Sequence, residues 1–260
     1  MKTETTETMG ALSMQSFECK VATTTKVCPK HGEYQARIVG GVALGICPKC
    51  AEESYEKKCD KVIAENSRKH KERLYASRIP KRFRDRMIET FATKHDKRAA
   101  KVLEIAWAYV ADFKTTKAQG RSLVFCGNPG TGKTHLACGI AHRIMGEGHS
   151  ALYTTLIDLV LDIKRTWGRE SEFTEQEVIS RYSVPELLIL DEVGVQFGTD
   201  TERQILFRVI NRRYEEVLPT ILISNLGLSD LVEMVGERTL DRFNEGGGKI
   251  IPFAWQSYRR

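Results

Sequence analysis

The chain has 260 residues, 41% apolar and 28% charged, the make-up of a soluble chain with room for one sizeable core and a smaller appendage. No apolar run reaches the roughly 20 residues that a membrane span requires, and the opening "MKTETTETMGALSMQSFE" lacks the charged-then-apolar order of a secretory signal. Seven cysteines, an odd number partly set in CxxC-like pairs, argue against a disulfide scaffold and for a reducing, cytoplasmic setting with no membrane partner.

Residues 1–18 read as a polar, flexible tail. Residues 19–53 are short and punctuated by Cys, Gly and Pro, with a strand-like "YQARIVGGVALG" inside. Here "CPKHG" at Cys28 and "CPKC" at Cys47 echo each other. Cys28 and His31 form one half-site, Cys47 and Cys50 the other, with fifteen residues between them. Three thiolates and one imidazole suit tetrahedral Zn²⁺. A segment this small has little core of its own, so a metal would take the place of one. Cys19 and Cys59 are the alternatives for a ligand position.

Residues 54–77 are mostly charged and read as a solvated helix linking two units. From Lys57 to Arg86 there are twelve Lys or Arg against four Asp or Glu, a local +8. The net charge of the whole chain is +6, so the remainder carries −2. One concentrated basic block is either a solvated face or a surface for an acidic partner or nucleic acid.

Residues 78–260 alternate helix and strand patterns, which predicts an α/β domain. Ala99, Val102, Leu103, Ala106, Trp107, Val110 and Phe113 recur at helical spacing. The segments "SLVFC" (122–126), "ALYTT" (151–155), "LLILD" (187–191), "TILIS" (220–224) and "KIIPFAW" (249–255) predict five strands. Four are near-continuous apolar runs, as in a parallel sheet covered on both faces.

"GNPGTGKT" follows the first of these strands and opens the helical run "KTHLACGIAHRIM". This is the strand–loop–helix context of a phosphate loop. Gly127, Asn128, Pro129, Gly130, Thr131 and Gly132 would turn backbone N–H groups onto phosphate oxygens. Lys133 would reach the outer phosphates of ATP, and Thr134 would ligate Mg²⁺. Fifty-seven residues after Thr134, the run "LLIL" delivers Asp191 and Glu192 to the carboxyl end of a strand. Asp191 would hold the Mg²⁺, and Glu192 would polarise the attacking water. Asn225, just past "TILIS", would orient that water or sense the last phosphate, or simply shape a turn. Between the two acidic and phosphate motifs, Lys164, Arg165, Trp167 and Arg169 mix charge with an aromatic ring. That mixture stacks bases and tracks phosphates; the alternative is an amphipathic helix that buries Trp167.

"GNPGTGKTHLA", "LLILDEVGVQ", "ILISN", "GERTLDRF" and "WQSYR", in that order, resemble the DnaC-type bacterial replicative helicase loaders, AAA+ ATPases close to the transposition helper ATPases of insertion sequences. "IPKRF" (79–83) is similar to the usual lead-in to that domain. The resemblance spans about Ile79 to Arg260. It implies an AAA+ P-loop fold with a five-stranded parallel sheet and, five residues after Trp255, no separate helical lid. It implies slow ATP hydrolysis by the isolated protein and delivery of a hexameric ring helicase onto single-stranded DNA. It further implies Asn225 as a sensor, Arg242 as an arginine finger offered to a neighbouring copy in the assembled complex, and Arg259 as a second sensor. A zinc unit departs from the usual loader pattern and is more similar to loader-type proteins of phages or prophages. The other readings are a transposition helper ATPase, or a zinc-dependent DNA-binding adaptor with a structural ATP site.

Overall fold

The computed structural model describes residues 22–94, 96–168, 170–194 and 199–259. The chain forms two compact units that divide between Glu65 and Asn66. Cys19, Arg169 and the 1–18 tail lie outside the described residues.

The first unit contains a three-stranded antiparallel sheet. β1 (Thr23–Cys28) pairs with β2 (Gly32–Val39), and β2 pairs with β3 (Val42–Leu44). The sequence reading marked one strand-like stretch, which the structure divides into β2 and β3, and it did not mark β1. "TTTKVC" has no apolar alternation, because most of the strand is exposed. Ala36 is buried on one face. Val27, Val39, Val42 and Leu44 share the other face by register, and all four are exposed. α1 (Pro48–Ala76) begins six residues before the expected linker helix and runs across the division between the units. It has no buried residue, as its charge-rich pattern requires. Pro48 suits the first helical position, where a missing N–H costs nothing.

In the second unit, α2 (Lys97–Ala111) starts on an Asp96 cap and leads into α3 (Phe113–Ala118). Then follow β4 (Leu123–Gly127), α4 (Lys133–Gly146), β5 (Ala151–Thr155) and α5 (Leu156–Lys164). α6 (Glu175–Ser183) opens with a reciprocal Thr174–Glu177 capping box. β6 (Leu187–Val193), α7 (Asp200–Glu215), β7 (Thr220–Ser224), α8 (Leu228–Val235), α9 (Glu237–Asn244) and β8 (Lys249–Phe253) complete the described order. The five strands of this unit form a parallel sheet in the order β5-β6-β7-β4-β8.

The apolar strands are buried on both faces. Leu187, Ile189, Ile221 and Phe125 pack toward α2 and α4. Leu188, Leu190, Leu222 and Val124 pack toward α5, α6, α7 and α8. Alternation along each strand therefore feeds two cores, and no polar face interrupts the runs. Near the amino ends of the strands, Arg213 is 1% exposed. It donates to the carbonyls of Tyr182, Pro185 and Pro219 and to Thr220 Oγ1 at 2.7–2.9 Å. A buried guanidinium is tolerated when its fork is saturated in this way. The carboxyl edge is thereby left as the place where polar groups converge.

Candidate functional site

β4 ends at Gly127, and the phosphate loop carries the chain into α4. The loop is tied to itself: Thr131 Oγ1 donates to Asn128 O at 2.8 Å, and Lys133 Nζ donates to Gly127 O and Asn128 O at 2.8 and 2.7 Å. Gly132 has φ +94°, and a Cβ there would meet the Phe91 ring at 2.7 Å. Both the backbone conformation and the space therefore demand glycine. Among the described residues, the N–H groups of Gly130, Thr131 and Gly132 have no acceptor. Unpaired donors at the start of a helix form a ready cradle for anionic oxygens.

Asp191 arrives on β6 and is 5% exposed. Its Oδ2 accepts from Thr134 Oγ1 at 2.8 Å and from the Tyr153 hydroxyl at 2.9 Å. Burial first, and then Asp191, push the Tyr153 phenol well above its ordinary range, so it remains a donor. A regular pleat would send Glu192 to the opposite face from Asp191. The ladder to β7 instead slips by one residue between Leu190 and Val193, and Glu192 has φ +59°. That bulge, with a left-handed residue that costs about 1–2 kcal/mol, lets both carboxylates line one cleft.

The cleft has a volume of about 620 Å³. It gathers Lys133, Thr134, Asp191, Glu192, Asn225 and Arg259, together with Pro129, Gly130 and Gly132. Thr131 is fully buried, and Gly127, Asn128 and Thr131 support the loop from outside the cleft wall. Sequence reasoning missed Tyr153, Phe91 and the cations Arg82, Arg86 and Lys94, which also line it. "IPKRF" was the only signal for that wall. Burial pushes the Lys133 ammonium down to about 8, against the pull of Asp191, and Arg259 adds to the lowering. The donors, the cation and the buried carboxylate beside a hydroxyl together fit a nucleotide triphosphate with Mg²⁺.

Arg242 does not line this cleft. Its guanidinium lies over the rings of Phe207 and Tyr214, 4.6 and 5.4 Å from their centroids, and donates to Arg238 O. Neither Arg242 nor Arg238 pairs with Glu237 or Asp241, which occupy another face of α9. Trp167 is 55% exposed, so the alternative of a buried ring does not hold. The surrounding segment forms a short 3-10 turn over Arg165–Trp167 and then α6, with Arg165 paired to Asp162.

In the first unit, Cys28, His31, Cys47 and Cys50 bring their ligand atoms within 4.8 Å of one another. Cys28 and Cys50 sulfurs are 3.5 Å apart, and His31 Nδ1 lies 3.2–3.8 Å from the three sulfurs. A tetrahedral zinc with usual bond lengths would separate its ligands by ~3.6–3.8 Å. The donor set and its edges therefore fit the ion. His31 Nε2 pairs with Glu53 Oε1 at 2.9 Å, which leaves Nδ1 for the metal. Backbone N–H groups of Lys30 and His31 hold the Cys28 thiol down at about 6. Cys50 sits in the first turn of α1, whereas Cys59 lies further along it and outside the cluster.

Residues 49–247 match the family of IstB-like ATP binding proteins. The chain belongs to this family. It is 32% identical over 202 residues to the replicative helicase loader DnaC of Buchnera aphidicola subsp. Schizaphis graminum, covering 77% of this chain and 80% of that one. Its fold is similar to a crystal structure of the DnaC helicase loader, with TM-score 0.58 and 22% identity over 66% of this chain and 99% of that one. It is also similar to the crystal structure of DnaI, with TM-score 0.56 and 20% identity over 70% of this chain and 95% of that one. The AAA+ P-loop fold expected from the sequence is the fold observed. Among the described residues, no helix is long and apolar enough to cross a membrane.

The lowered Lys133 value has a sign that can be checked. Between about pH 8 and its ordinary value of 10.5, the unfolded chain binds the proton that the folded chain has released. Without nucleotide, wild-type stability should therefore rise relative to Lys133→Met as pH climbs from 7.5 to 9.5. Urea unfolding of the pair reads this; a difference that stays constant would mean the ammonium is not desolvated.

Proposed function

We propose that the chain binds and hydrolyses ATP and uses that cycle to deliver a ring-shaped replicative helicase onto single-stranded DNA. The observation that carries this reading is the convergence of Lys133, Thr134, Asp191, Glu192 and Asn225 on one cleft. The names of its relatives give the cycle its direction, since they are replicative helicase loaders. A transposition helper ATPase would use the same cleft, and the IstB-like family match is compatible with it; the relatives named as helicase loaders favour the loading role.

In this reading the loop N–H groups and Lys133 hold the phosphates, and Thr134 and Asp191 hold Mg²⁺. The metal supplies charge neutralisation on the transferring phosphoryl group. Glu192, turned into the cleft by its bulge, orients and deprotonates the water. Asn225, just past β7 on the cleft wall, senses the outermost phosphate in this reading, and Arg259 on the same wall supplies a further cation. Arg242 faces away from its own cleft, so it acts only on a neighbour's nucleotide, and isolated copies hydrolyse slowly. Residues 19–53 hold Zn²⁺ through Cys28, His31, Cys47 and Cys50. With the basic helix 54–77 they form the helicase-binding end, while residues 78–260 handle nucleotide and DNA. The exposed face of Val27, Val39, Val42 and Leu44 supports a docking role for that end. Exposed Trp167, flanked by Lys164 and Arg165, supports base stacking on single strands.

Metal analysis should find one zinc per chain. Cys47→Ser should abolish capture of the replicative helicase from a purified mixture while ATP binding persists. Zinc-free protein that still captures helicase would overturn the assignment of that end. Lys133→Ala should lose ATP, and Glu192→Gln should retain it while losing about 10² or more in turnover. Arg242→Ala and Lys133→Ala, each inactive alone, should partly restore turnover when mixed and co-assembled. An arginine finger in trans is worth about 10³–10⁵ in related chemistry. No restoration in demonstrably mixed assemblies would assign Arg242 to its own subunit's fold.

A further inference from the structure

The segment after β8 returns to the phosphate loop and touches its apex. The indole Nε1–H of Trp255 donates to Thr131 O at 3.2 Å, and the Tyr258 N–H donates to Gly130 O at 2.8 Å. In return, Asn128 Nδ2 donates to Trp255 O at 3.4 Å. Trp255 is 3% exposed, its ring tilted against that of Phe253 with centroids 4.8 Å apart. Arg98 Nη1 holds the neighbouring Ala254 carbonyl at 2.8 Å. A side chain at Gly130 would run into Ser257 Oγ, so the strap lies directly against the loop.

These bonds decide where the loop's N–H groups point. A trans peptide plane sets its C=O and the following N–H in opposite directions. With Gly130 O turned out to the Tyr258 amide, the Thr131 N–H must point inward. With Thr131 O turned out to the Trp255 indole, the Gly132 N–H must do the same. Those are the amides that lack an acceptor among the described residues. Without the strap, each of these two peptide planes is free to rotate and to present its carbonyl, rather than its N–H, to an anion.

We propose that Trp255 is a positioning residue for phosphate binding: its indole N–H, with the Tyr258 amide, locks the loop's peptide planes with their donors inward. This rests on the reading of the loop as an ATP site. The strap contributes preorganisation rather than a contact of its own, so its loss is felt by ligands that carry phosphates and not by a bare nucleoside.

The test removes the N–H, once with a smaller aromatic ring and once with an isosteric one. Trp255→Phe, and a variant with benzothienylalanine introduced at 255, which has the same shape but no N–H, are compared with wild type. ATP, ADP and adenosine affinities are measured by competition against a fluorescent ADP analogue, and thermal melting is followed in parallel. Both variants should melt near the wild-type temperature and bind ATP and ADP about tenfold more weakly, on the order of one buried hydrogen bond. Adenosine affinity should be unchanged. Wild-type ATP affinity in the benzothienylalanine protein would overturn the proposal, as would an equal loss for adenosine and ATP, which would reduce Trp255 to packing. If Trp255→Phe fails to fold, the isosteric variant alone decides. Failure of the wild-type protein to bind ATP would instead remove the phosphate-loop reading itself.

Discussion

The buried carboxylate of Asp191 constrains much of this structure. It sits 5% exposed at the carboxyl edge of a sheet whose neighbouring strands are apolar. A carboxylate in such a place is tolerable only when its oxygens are occupied. Thr134 on α4 and Tyr153 on β5 occupy one oxygen, and the following N–H of Glu192 occupies the other at 2.7 Å. Three elements distant in sequence are thereby fixed around one charge. The bulge that aims Glu192 begins at the same residue, and the phosphate loop ends one position from the same threonine.

The phosphate loop is tied to itself through Thr131 and Lys133 and is also held from outside. Phe91 presses on Gly132 from the segment before α2, and the strap after β8 presses on Gly130. The site is thus assembled from both ends of the second unit. Arg242 belongs to a different region, resting on the rings of Phe207 and Tyr214. Separating a cation from the chain's own cleft suits an enzyme whose site is completed by a second copy. Stacking on two rings limits the guanidinium's freedom, which under the proposed role would lower the entropy lost on meeting a neighbour's phosphate.

Much of the second unit was legible because parallel strands covered on both faces leave uninterrupted apolar runs. β5 and β7 fall where "ALYTT" and "TILIS" predict, and β6 runs two residues beyond "LLILD". β1 was invisible because a small unit gathered around a Cys/His cluster buries few side chains and leaves no alternation to read. α1 starts early because Cys50 joins the Cys/His cluster from a helical turn, a tertiary demand with no periodicity of its own. Tyr153 was hidden because a tyrosine in an apolar strand reads as core; only the register β5–β6 brings it to Asp191. The left-handed Glu192 was hidden for a similar reason, since an Asp-Glu pair does not announce a bulge. Spacing located the four Cys/His positions, because a metal site's geometry is written in its short local loops.

In the proposed cycle, nucleotide held in this cleft drives a ring helicase onto a single strand. The most direct measurement uses circular single-stranded DNA, which a closed ring cannot thread from an end. Purified replicative helicase is mixed with the circle and ATP, with or without this protein, and helicase retained on isolated circles is quantified. Retention should depend on the protein and on ATP, and should disappear with Lys133→Ala. Equal retention without the protein, or with Lys133→Ala in its place, would contradict it.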